Sequence, residues 1–286
     1  MDFEKEQFSA TPERVGSDPR EQENDYIPES EEEQRSAETI WADLYDTELE
    51  PCKEFLKSRV LIDRVLAYAR TAAESGAGGS TWSATDAFCA LSALHSLDLP
   101  LTTEEENKMN AFLENRALIE HAFTYVKTSA KKEGLSAAKT LWTLSAFRSL
   151  NVQCTPAEEE KIKSFFENSV LVDHALAYAR SEAARGIEGD SKHAASAFET
   201  LSALHSLKVS LAPEQEDKTT ALLVNPDLIN KAFAFAKNSA KEGARGHIAD
   251  AVGAFESLAS LTAVRDYLRG KGAALDERAS SDKATS

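Results

Sequence analysis

The sequence predicts an all-α protein, a helical-repeat solenoid of three-helix units spaced 53–57 residues apart, with a two-unit block of 110 residues duplicated. Three observations carry this. A first block recurs as LIDRVLAYAR at 61, LIEHAFTYVK at 118, LVDHALAYAR at 171 and LINKAFAFAK at 228. A second recurs as FCALSAL at 88, LWTLSAF at 141, FETLSAL at 198 and FESLASL at 255. A third recurs as TTEEENKMNAFLEN from 102, TPAEEEKIKSFFEN from 155 and APEQEDKTTALLVN from 212. Blocks returning in fixed order mark a repeat array, and no segment alternates as a strand does.

Each block reads as a helix. In the first, helix A, Leu61, Ile62, Val65, Leu66 and Ala69 share a face at 3.6 residues per turn. In the second, helix B, Phe88, Leu91, Leu94 and Leu97 with Ala87, Ala90 and Ala93 form a broad apolar face. In the third, helix C, Thr103 with Glu106 and Thr155 with Glu158 fit capping boxes, and Pro156 suits a first helical position. The stretches ESGAGGS and ARGIEGD separate A from B, where the chain must turn.

These blocks set the boundaries. Residues 1–35 carry Pro12, Pro19, Pro28 and the run Glu31–Glu33 without apolar periodicity, and are expected to form a disordered acidic arm. The repeat domain spans 36–270. Residues 36–60 are an N-terminal half-unit cap, since AETIW at 37 matches AKTLW at 138. Units follow at 61–117, 118–170, 171–227 and 228–270, the last closing as a C-terminal cap, and 271–286 is a loose tail. End units of an array are expected to present a polar face to water. At an offset of 110 the chain aligns without gaps from 61 to about 133, so a surface built by units one and two should recur on units three and four.

In its pattern of repeated helices the chain resembles the armadillo and HEAT class of α-solenoids, and AAKTLWTLSAF at 137–147 is similar to the octotricopeptide repeats of organellar RNA-binding proteins. The first resemblance implies a surface for extended partners, the second a nucleic-acid ligand.

Charge weighs against the second. The formal net charge is −16, and residues 1–60 alone hold 18 acids against 7 bases. A body that is slightly negative lacks the positive field that phosphate backbones need. No apolar run reaches the ~18 residues of a membrane span, and the N-terminal stretch has no basic segment leading into an apolar one. Cys52, Cys89 and Cys154 share no motif and read as reduced thiols of a cytoplasmic protein.

Catalytic signatures are absent: no HExxH, GxSxG or CxxC occurs, and SGAGGST at 75–81 lacks the lysine of a P-loop. No pair of the six histidines has i, i+4 spacing, so neither metal nor cofactor is expected. Two columns on helix A remain. Arg64, His121, His174 and Lys231 stand four residues before Tyr68, Tyr125, Tyr178 and Phe235. Such neighbours are either a cation-plus-aromatic ladder for a partner or half-buried rings with a long side chain laid along them. Arg70, Lys127, Arg180 and Lys237 form a second, outward basic column. The expected function is a non-enzymatic scaffold presenting this repeated surface to a protein or peptide. The alternatives are an effector secreted into another cell through its unfolded N-terminus, and an RNA-binding helical repeat.

Overall fold

The computed structural model describes residues 45, 47–166 and 169–284, and among these there is helix and no strand. The helices are α1 (47–56), α2 (Arg59–Ala77), α3 (Thr81–Ser96), α4 (Thr103–Leu113), α5 (Arg116–Ser129), α6 (Leu135–Ser149), α7 (Pro156–Phe166), α8 (Ser169–Glu188), α9 (Ser191–Ser206), α10 (Pro213–Leu223), α11 (Pro226–Arg245) and α12 (Ile248–Ala284). The first block falls on α2, α5, α8 and α11, the second on α3, α6, α9 and α12, and the third on α4, α7 and α10. The acidic arm expected at 1–35 lies outside the described residues. Backbone helix continues past Gly270, where the sequence predicts the repeat domain to end, through the described part of the tail expected to be loose at 271–286.

Local chemistry sets the starts. Thr102 caps α4 in a capping box with Glu105, one residue earlier than the Thr103–Glu106 pairing the sequence suggests. Two adjacent threonines before three glutamates leave that register open, and Thr102 is the residue that aligns with Thr155. The Thr155–Glu158 box forms as expected, with Thr155 N–H donating to Glu158 Oε2 at 2.8 Å. Asn115 and Asn225 cap α5 and α11 by accepting from Leu118 N and Leu228 N. One close approach needs glycine. A Cβ on Gly76, Gly186 or Gly243 would sit 2.7–2.8 Å from backbone atoms of Ala84, Ala194 or Ala251. These three sites let α2, α8 and α11 cross α3, α9 and α12 at backbone contact. The fourth site holds Glu133, and there α5 ends early at Ser129.

Burial then builds two layers. Phe88, Leu141, Phe198 and Phe255 are fully buried, as the apolar face of the second block predicts. α2, α8 and α11 each pack on the helix that follows them, and α5, α8 and α11 also pack on the second-block helix before them. The inner helices contact in the order α3–α6, α6–α9, α9–α12 and then α12–α3. α2 likewise packs on α12 and on α11. The contacts therefore run in a cycle, and the last helices meet the first.

The seam is specific. Arg64 donates to the carbonyl of Gly243, across the whole body. Tyr45 stands edge-on to Phe233, with ring centroids 5.7 Å apart, and Glu48 pairs with Lys237. α1 thereby lies against α11 and α12, with Cys52, Phe55 and Leu56 facing Ala236, Ala240, Ala254 and Leu258 across an apolar cavity of about 220 Å³. Residues of the half-unit expected to shield one end thus fill a gap beside the last helices. α12 continues as one helix through the stretch where α3, α6 and α9 are followed by a loop and a short third-block helix. The extension of α12 covers α9 and α10: Tyr267 stacks on His205 at 3.7 Å, and Lys271 pairs with Glu216 at 3.1 Å.

Candidate functional site: the axial cavity

On each inner helix the residue after the buried Phe or Leu lines a common space. These residues are Cys89, Trp142, Glu199 and Glu256, and all four line one cavity of about 650 Å³. That volume suits a small organic ligand. A narrower space of about 90 Å³ extends from the same four residues past Ser92, Ser145, Ser202 and Ser260. Three residues earlier on the inner helices stand Asp86, Lys139, Ser196 and Gly253, which also line the cavity.

The charges in this wall differ in how they are met. Lys139 is buried, forms an ion pair with Asp86, and lies over the Trp82 ring at 3.7 Å. Glu182 is buried and accepts from His193 Nδ1 at 2.6 Å and from Arg185 at 3.3 Å. His193 Nε2 faces Asp190 at 3.2 Å, so this ring bridges two carboxylates. The carboxylates of Glu199 and Glu256 make no hydrogen bond or ion pair with any described residue. Burial raises the Glu256 carboxyl to about 7, with Lys139 opposing and Asp86 adding to the rise. Burial also raises Glu199 well above the usual carboxylate range, with the Glu256 charge second and Lys139 and Lys192 opposing. Two such groups near one another share a titration, and the second charge is the harder to form. Cys89 is pushed up by the same burial and by Glu256, so its thiol stays protonated. The indole N–H of Trp142 is buried and has no hydrogen-bond partner.

The residues singled out from the sequence divide between two places. Tyr68, Tyr178 and Phe235 line the cavity, and Tyr68 donates to Asp86 Oδ2 at 3.3 Å. Tyr125 is buried behind the wall, edge-on to Trp82 at 5.5 Å. Burial raises the phenols of Tyr68, Tyr125 and Tyr178 above their ordinary range. The basic partners turn the other way. His121 Nδ1 sits 2.8 Å from the Gly76 carbonyl, Lys231 donates to the Ile187 carbonyl, and Arg64 reaches Gly243. Each thus meets the end of the outer helix one step back around the cycle. His174 lies 3.8 Å from Glu133, at the corresponding place on α5's side. In the outward column, Arg70 faces Glu74 at 4.0 Å, Lys127 lies over Phe123 at 4.6 Å, Lys237 pairs with Glu48, and Arg180 is exposed.

Sequence reasoning missed Trp82, Asp86, Lys139, Trp142, Glu199 and Glu256. A signal was present: FETL and FESL each set a glutamate inside an otherwise apolar stripe. Among the described residues no group of three or more His, Cys, Asp or Glu is placed to hold a metal ion, and no helix is long and apolar enough to cross a membrane. Comparison with models of known families, with curated proteins and with solved structures finds no match to this chain.

Proposed function

We propose that residues 45–271 form a closed ring of four helical repeats, in place of an open superhelix, and that the ring is a binding protein for a small organic molecule held in its axial cavity. The cyclic contacts and the recurrent side-chain-to-carbonyl bonds of Arg64, His121 and Lys231 support the ring. On this reading α1 is the third helix of the fourth unit, supplied from the other end of the chain. The glycine contacts at Gly76, Gly186 and Gly243 recur at the same place in three of the four units and support the repeat.

One observation carries the ligand. A single repeat position delivers Glu199, Glu256, Trp142 and Cys89 to one interior space, and the two carboxylates there are unmatched. Glu199 and Glu256 are half-buried, and carboxylates drawn partly out of water without an ion pair lower stability. A concave site with aromatic walls and strongly shifted carboxyls is the form a ligand site takes. The test is a thermal-shift screen of small molecules on the full chain and on Ser196→Trp/Gly253→Trp, which places two large rings in the cavity beside Glu199 and Glu256. Hits that stabilise the first and not the second support the reading. A screen without hits, or hits indifferent to Ser196→Trp/Gly253→Trp, would refute it.

The scaffold for a protein partner is a second reading, and one observation favours it. Trp82, Leu135, Ile187 and Ile248 are exposed at the end of the body where the inner helices start. Exposed apolar groups set around a cavity mouth suit a covering partner. A partner recovered with the full chain and lost in Leu135→Asp/Ile248→Asp would support it.

A further inference from the structure

We propose that the ligand of the axial cavity is an organic cation, an ammonium or guanidinium on an apolar body, seated between Glu199, Glu256 and the aromatic rings around them. This rests on the cavity being a ligand site, and adds the chemistry of what it takes.

Charge balance is the first argument. Lys139 is committed to Asp86 on one side and to the Trp82 ring on the other. Glu182 is committed to His193 and Arg185. The carboxylates of Glu199 and Glu256 form no ion pair with any described residue; Lys192 in the wall opposes the Glu199 charge without pairing with it, and the carboxylates of the wall still outnumber its cations. An anionic ligand would enter against both carboxylates and compete with Asp86 for Lys139. A metal ion would need a third ligand that the wall does not offer. A cation of organic size satisfies both carboxylates at once.

The walls are the second argument. Trp142, Tyr68, Tyr178 and Phe235 present rings to the same space. Ring faces attract ammonium and guanidinium groups and accept the apolar body that carries them.

The third argument is protonation. Glu199 faces Glu256 on α12, Lys139 on α6 and Lys192 on its own helix, and its charge is felt by Tyr178 on α8. Glu256 faces Lys139 and Asp86, and its charge is felt by Tyr68 on α2 and Cys89 on α3. The unliganded pair retains a proton near neutrality. A bound cation favours the ionised pair and expels that proton, so binding strengthens as pH rises.

The experiment is calorimetric titration of the full chain with phenethylamine, phenethyl alcohol and hydrocinnamate, which share a body and differ in charge. At pH ~8 we expect the amine to bind at least about tenfold tighter than the other two, a difference of about 1.4 kcal/mol. Its affinity should fall by about tenfold at pH ~5.5 and be lost in Glu199→Gln/Glu256→Gln, whose fold is checked by its melting curve. If the alcohol or the acid binds as well as the amine, or the double variant binds the amine unchanged, the cation assignment falls and the cavity reading stands. If none of the three binds at any pH, both fall.

Discussion

Replacing Glu256 by glutamine tests the interior electrostatics directly. The folded carboxyl titrates at about 7, against 4.5 for an exposed glutamate. Its folded value is raised, so the native state holds the proton that the unfolded state has released. Wild-type stability therefore falls as pH climbs from the unfolded value through the folded one, and the loss is complete above it. At about 1.4 kcal/mol per unit the shift corresponds to about 3 kcal/mol. Glutamine has no charge to bury and keeps nearly the same shape. Glu256→Gln should match wild type near pH 4.5 and be more stable by about 3 kcal/mol at pH 8, since the two states no longer differ in protonation. For a body of this size that is a rise in melting temperature of roughly 6 °C or more. Melting curves of the full chain at intervals between those limits give the comparison. If the variant melts at or below wild type at high pH, the carboxylate is well met in the native state, and the argument for an unmatched interior charge fails.

Three further outcomes follow from the packing. Gly243→Val should lower stability by about 1–3 kcal/mol in urea unfolding, because a Cβ there would lie 2.7 Å from the Ala251 Cα, with backbone as the obstacle. Tyr45→Ala should cost about 3–5 kcal/mol in the same assay, since Tyr45 is fully buried against Phe233 at the seam. If 36–60 were a separable end piece, that substitution would leave the main transition unmoved. Lys139→Met should destabilise by about 3–5 kcal/mol near neutral pH, because it takes the ion-pair partner from Asp86 and removes the cation that faces both Glu199 and Glu256. The deficit should shrink on acidification, as the stranded carboxylates take up protons.

Particular residues show what the sequence made legible. Helix type and order followed from apolar spacing: Leu61, Ile62, Val65 and Ala69 are all buried, as are Phe88, Leu91 and Leu94. The aromatic column was found, and Tyr68, Tyr178 and Phe235 are in the cavity wall. What these side chains face was not legible. Arg64 and Gly243 meet across 179 positions of sequence, and no local pattern encodes that pairing. The glutamates of FETL and FESL sit on the face of the inner helix opposite the outer layer. In an open array that face is a solvated concave surface, where a glutamate is ordinary. In the proposed ring that face is interior, and this changes the meaning of Glu199 and Glu256. The capping register at Thr102 was missed for a smaller reason, the presence of two candidate caps side by side.

Closure is the claim on which the cavity, its charges and its ligand depend. Small-angle scattering from residues 36–271 measures it most directly. A closed body of this length should give a radius of gyration of about 18 Å, the value for a chain folded back on itself. Four units strung in a row, each touching only its neighbours, would give a clearly larger radius and a pair-distance distribution drawn out along one axis. That result would contradict the ring.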